Sequence, residues 1–272
     1  MRVIDHISDL HFNRIDTAAA AGLLEALNAD PADLVAVSGD LTMRARSREF
    51  RAAAEFLSKL KAPWIAVPGN HDITAFYPWE RFFDPFGRWH KYVSPQTEPL
   101  WRDDEVAVIG LNTVIRADWN LKWEGGRVPH HGLKNLLERL DALPKNLFRI
   151  VVAHHPFLAP EERPDTPLAR HAAPALERLA KAGVRLILSG HLHRDYVRLH
   201  RGAAGSAPGC CGGSSRICWW CRRARPSPPG CAATPMPITA SWWRRMPPAS
   251  SRAAGMARAG CPPPPPPGPS SA

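Results

Sequence analysis

The chain has 272 residues, with 35 Lys and Arg against 25 Asp and Glu and a formal charge of +10. That length accommodates one sizeable core and an appendage. No apolar run is long enough to span a membrane, and Met1-Arg2-Val3-Ile4-Asp5-His6 lacks the charged-then-apolar pattern of a secretory signal, so a cytoplasmic address is expected.

The averages hide two unlike pieces. All 12 His lie within residues 1–200, and all six Cys lie within residues 201–272. From Arg201 onward there is no Asp, Glu, Lys, Asn, Gln, Leu, Val, Phe, Tyr or His, while nine Arg and 15 of the 29 Pro fall there. Residues 1–200 carry 26 basic against 25 acidic side chains, so the positive charge belongs to the tail and says nothing about the front portion's ligand. The expected division is a catalytic domain over 1–200 and a Pro/Arg/Cys-rich low-complexity tail over 201–272.

Arg2–Ile7 reads as a strand, and Ser8-Asp9-Leu10-His11 follows it. Leu34–Ser38 is the next strand, ending in Gly39-Asp40. Ser47 is expected to cap a helix with Phe50, Ala53, Ala54, Leu57 and Leu60 on one face. Trp64–Val67 leads into Gly69-Asn70-His71-Asp72. The aromatic stretch from Tyr77 to Trp101 reads as a satellite cluster packing a long insertion, rather than a lid that stacks on a base or acyl chain. Val106–Leu111 is a strand followed by Asn112, a turn former or a substrate contact. Leu133, Leu136, Leu137, Leu140 and Leu143 form a helical stripe. Phe148–Ala153 precedes His154-His155-Pro156. A helix over Leu168–Ala182 closes at Gly183. Val184–Leu188 then precedes Gly190-His191-Leu192-His193. Strand–helix alternation indicates an α/β fold with a largely parallel sheet.

In the tail, six consecutive prolines (Pro262–Pro267) and the lack of Leu and Val argue for disorder. Cys218-Trp219-Trp220-Cys221 has the form of a zinc half-site but no matched second pair. Trp and Cys have few codons, so this tetrapeptide nearly fixes its coding DNA. One base out of register it reads Leu-Val-Val. Residues from about Arg201 therefore read as a frameshifted translation.

The chemistry sits at strand ends. In α/β folds the carboxyl ends of strands form one rim where ligands bind. Five separated loops are thus expected to converge, bringing Asp, Asn and His but no Cys. Such oxygen and imidazole donors suit Mn, Fe or Zn. Asp9-x-His11 and His191-x-His193 place alternate side chains on one side of an extended segment. The donors outnumber what one ion with open positions uses. Two ions about 3.5–4 Å apart, bridged by a carboxylate and a water-derived hydroxide, would use them all and favour in-line hydrolysis of a phosphate ester. His71 would protonate the leaving alkoxide or stabilise charge, with Asp72 orienting it. His155 reads as supporting a ligand or facing substrate. His6 reads as a core-adjacent histidine.

As an ordered set, Asp9-x-His11, Gly39-Asp40, Gly69-Asn70-His71-Asp72, His154-x-Pro156 and Gly190-His191-x-His193 resemble the calcineurin-like metallophosphoesterase signature over about residues 1–195. The resemblance implies a four-layer α-β-β-α sandwich and two divalent or trivalent metal ions. It implies one metal held by Asp9, His11, Asp40 and His193, and a second held by Asp40, Asn70, His154 and His191, with His71 catalytic. The Gly-Asn-His-Asp and His-His-Pro forms look most like the bacterial class III cyclic-nucleotide phosphodiesterase branch. Lipid A pathway hydrolases usually carry Arg where His71 stands. Relatives continue with further strands of the second sheet, which this reading expects to be missing here. The expected activity is hydrolysis of a small phosphodiester such as a cyclic nucleotide. The rivals are a glycerophosphodiester substrate, a nuclease of the same superfamily, and a basic nucleic-acid-binding protein with a vestigial site.

Overall fold

The computed structural model describes residues 2–116, 123–193, 196–201 and 216–221. Two sheets stack through a shared apolar layer. The first is parallel and contains β1 (Ile4–Ile7), β2 (Leu34–Val37) and β3 (Trp64–Ala66), in that order. Helix α1 (Thr17–Ala29) joins β1 to β2, with Asp16 accepting from Ala18 N and Ala19 N at its start. Helix α2 (Ser47–Ser58) joins β2 to β3. Ser47 is its first residue rather than its cap. Glu49 Oε2 does the capping instead, accepting from Arg44 N at 2.7 Å and Arg46 N at 3.3 Å.

Beyond β3 come two short helices, α3 (Pro78–Phe83) and α4 (Gly87–Tyr92). The second sheet then begins with β4 (Leu100–Arg102) and β5 (Val106–Leu111), an antiparallel pair. Helix α5 (His130–Asp141) leads to β6 (Phe148–Ala153), and α6 (Ala172–Lys181) leads to β7 (Val184–Leu188). Strands β5, β6 and β7 are parallel neighbours. Two more strands follow, β8 (Tyr196–Arg201) and β9 (Arg216–Cys221), giving the order β4-β5-β6-β7-β9-β8.

Strand alternation builds the layers. Leu34, Ala36, Ile65 and Val67 of the first sheet meet Val106, Val108, Ile150 and Val152 of the second, forming the middle of the sandwich. The intervening residues face outward. Val35, Val37 and Ala66 pack with Phe50, Ala53 and Leu57 of α2. Ala107, Ile109, Leu111 and Val151 pack with Leu133, Leu136 and Leu140 of α5 and with Leu176 and Leu179 of α6. Both faces of β2, of β5 and of β6 beyond Phe148 are therefore dry, which is why these strands read as continuous apolar runs. The order is the four-layer α-β-β-α sandwich that the motif resemblance implied.

The expectation that the second sheet ends without further strands is corrected. Strand β9 pairs parallel to β7 through Leu186–Cys218 and Ile187–Trp219, and antiparallel to β8 along its whole length. The physical reason is local: Ile217, Trp219 and Trp220 are residue types that suit a pleated surface. Composition averaged over the whole tail hid this six-residue segment. Its position coincides with the Cys-Trp-Trp-Cys stretch whose shifted reading is also strand-like. The rest of the expected tail, 202–215 and 222–272, lies outside the described residues, as does the proline run.

Candidate metal centre

The carboxyl ends of β1, β2, β3, β6 and β7 carry all the sequence-predicted site residues, and the loops after them meet. Nearby groups of Asp9, His11 and His193, of His11, Asp40 and His71, and of Asp9, Asp40 and His154 each place donor atoms within 4.8 Å of one another. His193 Nε2 lies 3.1 Å from Asp9 Oδ1 and 3.2 Å from His11 Nε2. Asp40 Oδ2 lies 3.3 Å from His154 Nε2 and 3.8 Å from His11 Nε2. Asn70 Oδ1 lies 3.0 Å from both His154 Nε2 and His191 Nδ1. Asp40 thus stands between two half-sites, one of Asp9, His11 and His193, the other of Asn70, His154 and His191.

The turns that achieve this are strained. Asp9, His11, Asp40, His191 and His193 all have positive φ, between 47° and 71°. Non-glycine residues avoid that region, and such strain concentrates at sites that the surrounding fold over-determines. Close approach of the loops also demands glycine. A Cβ on Gly69 would lie 2.1 Å from Asp40 Oδ1, and one on Gly190 would lie 1.9 Å from Ser8 Oγ.

Backbone carbonyls aim the rings. His154 Nδ1 donates to Ser38 O at 2.7 Å, turning Nε2 toward Asp40 and Asn70. His71 Nδ1 donates to Met43 O at 2.8 Å, and its ring meets that of His11 edge-on at 4.9 Å. Ring orientation by such outer partners is typical of metal ligands.

Charge fits a cation. Asp9, Asp40 and Asp72 are all buried. Burial pulls His11 down from the ordinary histidine value, and pulls His191 down to about 4 with help from His154. Both are therefore neutral, the form that ligates. For Asp40 burial works upward, but the charge and hydrogen bond of His154, then His11 and His71, hold it well below the usual carboxylate range. For His154 burial works downward, and Asp40 outweighs it, raising the ring to about 9. Buried carboxylates set among imidazoles and an amide oxygen are the donor set of a transition-metal site.

Asp72 and His155 stand behind the donors. Asp72 bonds main-chain N–H groups and the Thr42 hydroxyl, which also lies 2.9 Å from His71 O. Its carboxylate accepts from Leu41 N, Thr42 N, Thr42 Oγ1 and Gly69 N at 3.2, 2.8, 3.0 and 2.9 Å, clamping the Asp40 loop to the Asn70 turn. Burial, then the charge of Asp40, raises it to about 6. His155 is buried with both nitrogens occupied, Nδ1 with Thr113 Oγ1 at 2.8 Å and Nε2 donating to Glu124 O at 3.0 Å. It packs beside His191 at 4.8 Å and, with His154 and His191, places ring nitrogens within 4.8 Å of one another. Asn112 Oδ1 accepts from Val114 N at 3.0 Å, a turn role. Met43, Ser38, Thr113 and Glu124 were not singled out from the sequence; three of the four act through main-chain carbonyls, which leave no signal in side-chain identity.

A rim this rich in imidazole and carboxylate, on this fold, is that of a metal-dependent phosphoesterase. The chain belongs to the calcineurin-like phosphoesterase family, whose model matches residues 2–195. It is similar to a probable cyclic nucleotide phosphodiesterase of Synechococcus sp., 26% identical over 207 residues, covering 72% of this chain and 74% of the relative. It is also similar to a glycerophosphodiester phosphodiesterase of Enterobacter lignolyticus, 35% identical over 86 residues, covering 28% of this chain and 31% of that relative. Among solved structures, the purple acid phosphatase PPD1 of yellow lupin (Lupinus luteus) seeds superposes with a TM-score of 0.57 at 13% identity, over 80% of this chain and 43% of that one, a likeness of fold. Among the described residues, no helix is long and apolar enough to cross a membrane.

Proposed function

We propose that this protein hydrolyses a small phosphodiester, a cyclic nucleotide being the substrate the reading favours, in the cytoplasm. The observation that carries the proposal is the convergence of Asp9, His11 and His193 on one side of Asp40 and of Asn70, His154 and His191 on the other. Asp9, His11, Asp40 and His193 would hold one ion and Asp40, Asn70, His154 and His191 a second, with Mn, Fe or Zn suited to the donors. When bound, such a pair clamps a phosphoryl group and lowers the pKa of a water between the ions.

The chain's own residues supply the rest. Asp40 is shared by both half-sites, which sets their spacing. His71, held through Nδ1 by Met43 O and edge-on to His11, would in its doubly protonated form give the Nε2 proton to the leaving oxygen and be left neutral. Asp72 holds the two loops in register. The relative from Synechococcus supports a cyclic nucleotide, and the shorter match from Enterobacter favours a glycerophosphodiester as the second reading. The near-neutral charge of residues 1–200 gives no support to nucleic acid as the substrate.

The test is cleavage of bis(p-nitrophenyl) phosphate by the full chain with Mn, Fe or Zn. Activity is expected to depend on the metal and to be lost in Asp40→Ala and His191→Ala. Full activity in either variant would contradict the site.

A further inference from the structure

Between Thr74 and Asp84 the surface is unusually aromatic. Phe76, Tyr77, Trp79, Phe82 and Phe83 are 59%, 56%, 78%, 56% and 77% exposed. The stretch from Tyr77 to Trp101 is expected from the sequence to pack an insertion, and Phe86 and Trp89 do so; Phe76 lies just before that stretch. The exposed group is a different matter, because large apolar patches on a surface mark contact sites.

Two of these rings are tied to the loop that orients His71. The guanidinium of Arg44 lies over Phe76, 5.5 Å from its centroid. Arg44 directly follows Met43, the residue whose carbonyl holds His71 Nδ1 at 2.8 Å. Adjacent Cα atoms are about 3.8 Å apart, so Arg44 begins one residue from that contact. The other ring is already engaged. Arg88 lies over Tyr77 at 5.3 Å, donates to Ala45 O at 2.6 Å, and pairs with Glu80 at 2.6 Å. Trp79 and Phe83 stack on one another at 5.6 Å. Phe76 follows His71 by five residues and Arg44 follows Met43 by one, and both side chains are exposed, so this pair is the part of the patch tied most directly through the chain to the His71 turn and to the loop that holds it.

We infer that Phe76 and Arg44 form the subsite for a flat aromatic group carried by the phosphodiester. This rests on the phosphodiesterase reading above and names the residues that would select its substrate. A base stacks on an exposed phenyl ring whatever its identity, since every base has a π-face. Arg44 contributes a second planar, cationic surface to the same group and fixes the Phe76 ring.

The experiment measures binding of AMP and of ribose 5-phosphate to the full-length, Mn-loaded protein by calorimetry. Both ligands carry the phosphate, and one carries the base. AMP is expected to bind about tenfold more tightly, in line with one stacked base. In Phe76→Ala that preference disappears while the affinity for ribose 5-phosphate stays the same, and Phe76→Tyr restores it. Equal affinities in the parent protein, undetectable AMP binding, or a Phe76→Ala variant that weakens both ligands alike would each overturn the subsite. Cleavage of bis(p-nitrophenyl) phosphate, followed alongside, separates the two claims. Cleavage without an AMP preference removes the subsite alone, and an AMP preference without cleavage removes the phosphodiesterase reading alone.

Discussion

The backbone N–H of His71 donates to Asp40 Oδ1 at 2.9 Å, while the other oxygen of Asp40 faces His154 at 3.3 Å. One carboxylate thus connects the proposed proton donor to the centre of the donor cluster. Asp40→Ala is expected to lower metal affinity and activity by at least about a hundredfold, the upper range for losing even an outer partner of a ligand. Metal content per chain after dialysis, set beside the rate, is the check. Retention of the parent metal content would argue against a shared carboxylate.

Asp72 has a separable role. Its four hydrogen bonds all go to the loops around Asp40 and Asn70. Asp72→Ala leaves buried N–H groups unpaired and is expected to cost about 3 kcal/mol or more of stability. A urea titration reads this directly. A variant as stable as the parent but catalytically dead would return Asp72 to the chemistry.

His6 makes the fold sensitive to acid. It is buried on β1, its Nε2 lies 2.8 Å from Ser38 Oγ, and Nδ1 is buried without a hydrogen-bond partner. Burial lowers it from 6.5 to about 4, against a small opposing pull from Asp9. The unfolded chain therefore binds a proton here before the folded chain does. This group's contribution is intact above pH 6.5 and is lost as the pH falls toward 4, by up to about 1.4 kcal/mol per pH unit. His6→Gln is expected to flatten that part of the stability profile between pH 7 and 4. An unchanged slope would show that His6 is protonated in the folded state.

Strand β9 completes the hydrogen bonding of β7 and β8. All proposed metal ligands precede it. Deleting residues 202–272 is expected to leave the ligand set whole but to expose the edge of β7, lowering the melting temperature and promoting association. An unchanged melting temperature would show that the strand adds nothing. The shifted reading frame proposed for the tail is checked by resequencing the gene; an in-frame tail in an independent copy overturns it.

Much of this was legible in the sequence. Strands β5, β6 and β7 coincide with the apolar runs at 106–111, 148–153 and 184–188, because burial on both faces leaves a continuous signal. The site was legible through side chains: seven Asp, Asn and His residues in five loops, each directly after a strand. What stayed hidden acts through the main chain or through shape. Met43 O aims His71, and Ser38 O aims His154. The left-handed backbone at Asp9, His11, Asp40, His191 and His193 is only weakly signalled, since Asp and His are enriched in that region but none of the five is glycine. Strand β4, three residues long with Leu100 exposed, has too little periodicity to be read. The bonds of Asp72 to Leu41, Thr42 and Gly69 also stayed hidden, because adjacency to His71 in sequence says nothing about which loop a carboxylate reaches.

The proposed chemistry turns on a pair of cations sharing Asp40. Anomalous diffraction from crystals of the full chain soaked in Mn addresses it most directly. Two peaks about 3.5–4 Å apart are expected, with Asp40 between them, His11 and His193 beside one, and Asn70, His154 and His191 beside the other. A single peak that avoids Asp40, or none at any of these residues, would contradict it.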